Sequence, residues 1–532
     1  HHLHPIQIGN PSVTLNVLEW GESSGSEDCL YLNIWAPAFT ENTLPEAGHR
    51  LPVMLWIHGG GNTIGHAASY DGSILAGSQQ LIIVTINYRL GVMGWFSHPA
   101  LRATADNAVD GSGNYGTLDM ITALKWVQNN ISAFGGDPDN VTVFGESAGG
   151  RNTVTMLASP LAKGLFHRAI IQSGGTNSSA VVWAENYRDD IVPGDNNSSG
   201  EILLHLLETE TETEIEIESE TINRTKTKAL VASMSDQEIS DLLRAKSAED
   251  LLSFFSAASF GMYQNPQIIE DGTVMPAMPM IEAFNSTTSY NAVPIITGTN
   301  RDEAKMFLMN DERMVDISFG MMREITDVAR YELHNRYRSD VWQALAVDKL
   351  SENIQSSGDD LLWSYRFDWD EGGDGWMADY SQIMGAAHSL EIPFVFATYE
   401  GLTLPGVFTD ENKASSELLS AKMMSYWAEF AYNGRPGQGR NNELPEWLPR
   451  SALSAPSMLL DSVADGGVRM GGEVITLDDL KQRLENESAF IEPRDRCELY
   501  VQMFRGSPAF VLSEYQALPG CDAYSIDEFS RW

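Results

Sequence analysis

Val141-Thr142-Val143-Phe144-Gly145-Glu146-Ser147-Ala148-Gly149-Gly150 decides the reading of this chain. The β-branched and aromatic run predicts a short buried strand. It breaks at Gly145, sets Ser147 at the tip of a turn and resumes as a helix, expected from about Arg151 to Leu157. Strand, Gly-x-Ser-x-Gly, helix is the context in which a serine becomes a nucleophile. The glycines flank the serine because a Cβ in so sharp a turn would strike a neighbouring strand or helix. The helix behind Ser147 directs its positive end at any negative charge that develops there. A control lies within the same chain. Gly21-Glu22-Ser23-Ser24-Gly25 fits the same pattern, but no long buried strand feeds it and no helix follows, so it reads as a polar loop.

Working outward, Cys29–Trp35 reads as a strand and Leu51–Ile57 as a second. The second is nearly all apolar, as in a strand covered on both faces. It runs into His58-Gly59-Gly60-Gly61. Three glycines after a buried strand make either a flexible turn or a loop of unobstructed N–H donors. Beside Ser147 we read them as an oxyanion loop, whose donors would each contribute about 3–4 kcal/mol to a transition state. Leu81–Ile86 is a third buried strand, followed by Asn87-Tyr88-Arg89-Leu90-Gly91. Leu118, Ile121, Leu124 and Val127 have the spacing of an amphipathic helix over Leu118–Phe134. Gly135-Gly136 stops that helix, Asp137-Pro138 turns the chain into the nucleophile strand, and Arg168–Gln172 is the next strand. Such alternation predicts an α/β fold, a mostly parallel twisted sheet with helices on both faces.

The chain has 532 residues, 43% of them hydrophobic, enough for a large core. No repeat or linker marks a boundary, so residues 1–532 are expected to form a single catalytic domain. The net charge of −39, from 73 acids against 34 bases, argues against nucleic acid as a partner, because phosphate binding needs a basic surface. It suits a secreted protein, extracellular or periplasmic, or one adapted to salt. No run of about 18 apolar residues is present, so no membrane span is expected. No basic segment leads into an apolar one at the N-terminus, so no signal peptide is expected within these residues. His1, His2 and His4 read as a ragged start rather than metal ligands. Of the three cysteines, Cys497 and Cys521 enclose a short loop and are the expected disulfide in an oxidising compartment, with Cys29 left over. Residues 187–228 include the Thr/Glu tract Glu208–Glu218, expected to be a solvated insertion, either a two-sided polar ribbon or a mobile surface loop.

Glu27–Asn33, the His58–Gly61 loop, Asn87–Gly91, Phe134–Pro138 and Gly145–Gly149 stand in the order seen in type-B carboxylesterases. The chain resembles this carboxylesterase/cholinesterase branch of the α/β-hydrolases from about residue 27 to about 450. The N-terminal strands of the family, upstream of Glu27, are not recognisable. The usual disulfide to Cys29 therefore has no visible partner.

A serine hydroxyl needs a base, and the base needs an acid to hold its tautomer. In this architecture the order is nucleophile, acid, histidine. After Ser147 come His167, His205, His334 and His388. His167 lies too close to the nucleophile helix to return over it and reads as structural. His205 adjoins the acidic insertion, and His334 sits in a polar helical stretch. His388 lies among small residues, Gly385-Ala386-Ala387, which let an imidazole stand close to a serine, and the resemblance places the base there. For the acid, the buried strand Val293–Gly298 opens into Asp302-Glu303, and the residues alone leave the two carboxylates open. The resemblance matches Glu303 and leaves Asp302 as a structural cap or surface ligand. It implies acyl transfer by Ser147, His388 and Glu303, with the N–H groups of Gly60, Gly61 and Ala148 holding the oxyanion. It implies small-molecule esters as substrates, and no metal or cofactor.

Several residues stand apart from the pattern. Asn62 replaces an aromatic of many relatives, and sets an amide near the acyl group or caps a turn. Arg151 falls one helical turn behind Ser147 and is expected in a buried ion pair, while Glu146 is expected to anchor the elbow. Trp363, Tyr365, Phe367 and Trp369 alternate as in a strand with one packed face. Trp20 lies near the position of a cholinesterase aromatic but out of register, so no cholinesterase is expected. The competing classes are a non-catalytic binding or adhesion protein on the same fold, and a hydrolase of amides, carbamates or thioesters.

Overall fold

The computed structural model describes residues 11–12, 14–15, 23–39, 43–211, 220–358, 361–450, 457–505, 507 and 509–529. The readings made on His1, His2, His4 and Trp20 lie outside them. The chain groups into two compact units, His1–Ile170 with Thr176–Val293, and Ile171–Gly175 with Pro294–Trp532.

The first unit carries β1 (Leu32–Trp35), β2 (Leu51–Ile57), β3 (Ile82–Ile86), β4 (Gly136–Glu146) and β5 (Arg168–Gln172), whose last two residues belong to the second unit. Their order is β1-β3-β2-β4-β5. β2 is parallel to both neighbours, with Ile57 opposite Ile86 on one side and Gly145 on the other, and β1 closes the edge antiparallel. Almost every residue of β2 and β3 is buried, which explains the continuous apolar runs. Helix α1 (Tyr115–Asn130) ends in a 3-10 turn to Phe134, and Gly135 leaves it with φ +82°. Helix α2 (Ala148–Ala158) is buried at every residue except Arg151. It begins three residues before the expected start, directly at the serine.

The described parts of the insertion are helical on either side of residues 212–219. These helices are α3 (Ser199–Thr211) and α4 (Glu220–Val231), with residues 212–219 of the Thr/Glu tract outside the described residues. Ile202, Leu203, Leu206 and Leu207 form one buried face of α3 and pack with Ile239, Leu243 and Phe255. This 3–4 spacing is helical, and the acidic composition beside it hides the signal. At the polar decoy, Ser23–Ser24 pairs antiparallel with Thr14–Leu15 and no helix follows.

In the second unit β6 (Ile295–Asn300), β7 (Leu362–Phe367) and β8 (Ser457–Leu460) are parallel, with β9 (Arg469–Gly471) antiparallel at the edge. Ser173, just past β5, donates its N–H to Gly298 O at 2.8 Å. The alternating aromatics of β7 share one packed face, as expected. Trp363 meets Phe430, Tyr365 meets Trp427 and Trp447, and Phe367 meets Phe394. Helices α5 (Val328–Gln343), α6 (Lys413–Asn433) and α7 (Leu477–Asn486) belong to this unit, with α8 (Pro493–Phe504) after them. Cys497 of α8 is bonded to Cys521 inside an apolar cluster, as expected. A loop of this size is worth about 3 kcal/mol on the chain-entropy account. Cys29 is a buried free thiol.

Candidate active site

Ser147 stands between β4 and α2 with φ 58° and ψ −121°. Few non-glycine residues adopt this conformation, and it costs on the order of 1–3 kcal/mol. The surrounding backbone enforces it. A Cβ on Gly145 would lie 2.5 Å from Gly149 O and 2.6 Å from Ile57 O, and one on Gly149 would strike the carbonyls of Ile57 and His58. The elbow therefore packs backbone against backbone on the end of β2. Ser147 is the only residue from Val141 to Gly150 that is not buried. Its side chain does not cap α2, so the helix presents its first N–H groups, Ala148 among them, beside the hydroxyl.

The glycine loop lies against this elbow. A Cβ on Gly59 would fall 3.1 Å from Ser147 Cβ and 3.0 Å from the carboxylate of Glu146. Glu146 is buried behind the loop, in the anchoring place expected of it. Gly60, Gly61 and Asn62 all take positive φ, at 98°, 64° and 60°. Gly60 O accepts the N–H groups of Thr63 and Ile64 at 3.0 Å. His58 is fully buried, and burial lowers its pKa to about 4. The ring is therefore neutral, and its Nδ1, 2.8 Å from Gly59 O, carries the hydrogen that this carbonyl accepts. Tyr88 stacks on that ring at 4.5 Å and donates its hydroxyl to His58 O at 2.7 Å.

Two expectations change here. The Asn62 side chain turns into a buried polar network with Asn152, Gln267 and Tyr88, so its amide is committed to the scaffold. Arg151 has no carboxylate partner among the described residues. Its guanidinium instead donates to the side-chain oxygen of Gln267. The expected ion pair is absent because the segment that reaches Arg151 brings an amide.

The second unit holds the residues expected to be the acid and the base. β6 delivers Asn300, whose N–H donates to Glu303 Oε1 at 2.8 Å. The other oxygen of Glu303 lies 2.5 Å from Nδ1 of His388, with both side chains buried. Trp342 and Phe307 flank the ring at 4.5 and 5.6 Å. Asp302, the neighbouring carboxylate, points elsewhere. It accepts from Ala386 N–H and Asn335, and lies between Arg301 and Lys305. Burial opposes its charge, but Lys305 and Arg301 outweigh burial and hold its pKa below the ordinary value. It is a buried structural carboxylate, not a surface ligand. The small-residue loop has a reason too, since a Cβ on Gly385 would come 2.6 Å from Asp302 Oδ2.

Sequence reasoning gave no role to the residues behind this pair. Glu391 is fully buried, accepting from Gln172 at 3.0 Å and Asn300 at 2.8 Å, and burial together with the charge of Glu303 raises its pKa. No motif marks Gln172 or Asn300, because their partners lie far along the chain. His167 is structural, exchanging bonds with the backbone of Val141. His205 packs edge-on against Phe254 in α3, and His334 lies buried in α5 beside Asp495. Among the described residues no group of three His, Cys, Asp or Glu side chains is placed to hold a metal ion. No helix among them is long and apolar enough to cross a membrane.

Comparison with known proteins agrees with this architecture. The model of the carboxylesterase family matches residues 7–359 and 322–465. Human cocaine esterase is 33% identical over 456 residues, covering 80% of this chain and 70% of the relative. The para-nitrobenzyl esterase of Bacillus subtilis is 32% identical over 458 residues, covering 82% and 80%. A solved PNB esterase structure aligns with a TM-score of 0.58 at 29% identity, over 86% of this chain and 83% of that one. The carboxylesterase Est55 of Geobacillus stearothermophilus aligns with a TM-score of 0.56 at 25% identity, over 84% of each. The chain is an α/β-hydrolase and belongs to the carboxylesterase family.

Proposed function

We propose that the chain hydrolyses small carboxylic esters through an acyl-enzyme, with Ser147 as nucleophile, His388 as base and Glu303 as the acid that orients the ring. His388 takes the Ser147 proton through Nε2 as the hydroxyl oxygen attacks the ester carbonyl. The tetrahedral oxyanion is held by the N–H groups of Gly60, Gly61 and Ala148. The alcohol leaves with the proton from His388, and a water, activated by the same ring, releases the acid. The observation that carries this reading is the 2.5 Å bond between buried Glu303 and Nδ1 of His388. A carboxylate there fixes the tautomer whose lone pair is on Nε2 and stabilises the imidazolium that forms. The strained Ser147 backbone supports the other half of the assignment.

On this reading residues 1–532 act as one catalytic domain, and the net charge of −39 argues against nucleic acid as a partner. The Cys497–Cys521 bond favours an oxidising compartment, and so a secreted protein.

The test is hydrolysis of p-nitrophenyl acetate, butyrate and octanoate by the protein and by Ser147→Ala. The variant is expected to lose turnover by at least about 10⁴-fold with its thermal transition intact, and the chain-length profile sizes the acyl pocket. Absence of turnover in the wild type, together with no labelling by a fluorophosphonate, would remove the hydrolase reading in favour of a binding protein.

A further inference from the structure

The proposed oxyanion donors are backbone N–H groups, and a backbone N–H is aimed by the carbonyl on the other side of its planar trans peptide. The carbonyl of Gly59 is held by the His58 ring, which aims the N–H of Gly60. The carbonyl of Gly60 is held by Thr63 and Ile64, which aims the N–H of Gly61. The third peptide of the loop is held from outside. Gly61 O accepts from Nε2 of Gln267 at 3.1 Å, and Gln267 lies 206 residues further along the chain. That bond fixes the Gly61–Asn62 peptide, whose own N–H belongs to Asn62, and so acts on the proposed donors through the backbone of Gly61. Rotation there changes the ψ of Gly61, in a stretch where three successive residues hold positive φ.

Gln267 can hold the carbonyl only with its amide the right way round. Nε2 donates to Gly61 O and to Asn265 Oδ1 at 3.0 Å, while Oε1 accepts from Asn62 at 3.2 Å and from the Arg151 guanidinium. The reversed amide would set NH₂ against two donors, one of them charged, and its oxygen against two acceptors. The cation makes that reversal costly. Arg151 is the one residue of α2 that is not buried, yet its guanidinium is closely surrounded and its Nε is buried without a partner. Burial lowers its pKa to about 10, so it stays charged at neutral pH. A partly desolvated cation with a neutral partner is a poor stabilising device. As a lock on an amide it has a clear use.

We propose that Gln267, oriented by the charge of Arg151, is a positioning residue that holds the Gly60–Gly61 loop with its N–H groups aimed at the oxyanion. This rests on the ester-hydrolase reading above. Gln267→Glu tests it, because a carboxylate pairs with Arg151 and keeps the fold, but sets an oxygen against Gly61 O. The expected result is a kcat lower by about 10- to 100-fold, with KM within about threefold, a thermal transition no lower than that of wild type, and weaker binding of a trifluoromethyl ketone by the same factor as kcat/KM. A purely structural role would move the thermal transition and leave the ketone affinity of the folded protein unchanged. If Gln267→Glu does not fold, Arg151→Met removes the charge alone, with a smaller parallel loss of kcat and ketone affinity expected. Either folded variant with kcat and ketone affinity within twofold of wild type overturns the proposal. A wild type without turnover would instead overturn the hydrolase reading, and this inference with it.

Discussion

The two units present their expected functional groups in different materials. In the first unit the working groups are backbone. Ser147 is held by glycines on either side, and Gly59 to Gly61 form a loop of N–H donors, with close approaches to Ile57 O and Gly149 O fixing the geometry. In the second unit the working groups are side chains. Glu303, His388, Asn300, Glu391 and Gln172 are joined by hydrogen bonds between segments 85 or more residues apart. Backbone geometry is intolerant of added atoms but indifferent to most chemistry. A side-chain network tolerates small changes of shape but not of charge or donor pattern.

Three substitutions put that contrast at risk. Glu303→Gln keeps the shape and an acceptor for Asn300 N–H, but removes the charge facing His388. A fall in kcat of about 10⁴-fold with little change in thermal stability is expected, read by steady-state kinetics beside a melting curve. Near-normal turnover would show that the network's charge is not what matters. Gly149→Ala adds one methyl where Ile57 O and His58 O already stand. It should cost about 3 kcal/mol of stability, measured by urea denaturation, and take activity with it. A stable, active variant would mean that the elbow is not backbone-limited.

The smallest effect concerns pH. His98, in the first unit, is lowered by burial to about 4, against about 6.5 in an unfolded chain. A base depressed in the native state gives stability that is complete above 6.5 and lost as pH falls toward 4. At pH 5 the loss from this residue is about 2 kcal/mol. His98→Asn keeps an acceptor for the Ala100 N–H that the ring now caps, and should flatten the decline between pH 6.5 and 5 by that amount. An unchanged slope in denaturant titrations would refute it. Glu391 of the second unit acts with the opposite sign, since its raised pKa favours the native state at low pH.

The same contrast sets what could be read from the sequence. The elbow was legible because glycine spacing reports directly on backbone that admits no Cβ, and the sheet because fully buried strands read as apolar runs. Asp302 and Glu303 were not separable from their own residues. They point apart at the end of β6, and only the position of His388, 85 residues on, distinguishes them. Arg151 was assigned the wrong partner for the same reason, since Gln267 lies in a segment with no periodic pattern. The apolar face of α3 precedes the Thr/Glu tract, most of which lies outside the described residues.

The left-handed backbone of Ser147 has a consequence for how this chain would change under selection. Glycine occupies that conformation without penalty, so the side chain at the tip of the elbow is a standing thermodynamic liability. A population screened only for survival of heating would drift to glycine at position 147. On the proposed mechanism, serine persists there only while turnover is also under selection, which would make the residue a record of chemistry rather than of folding.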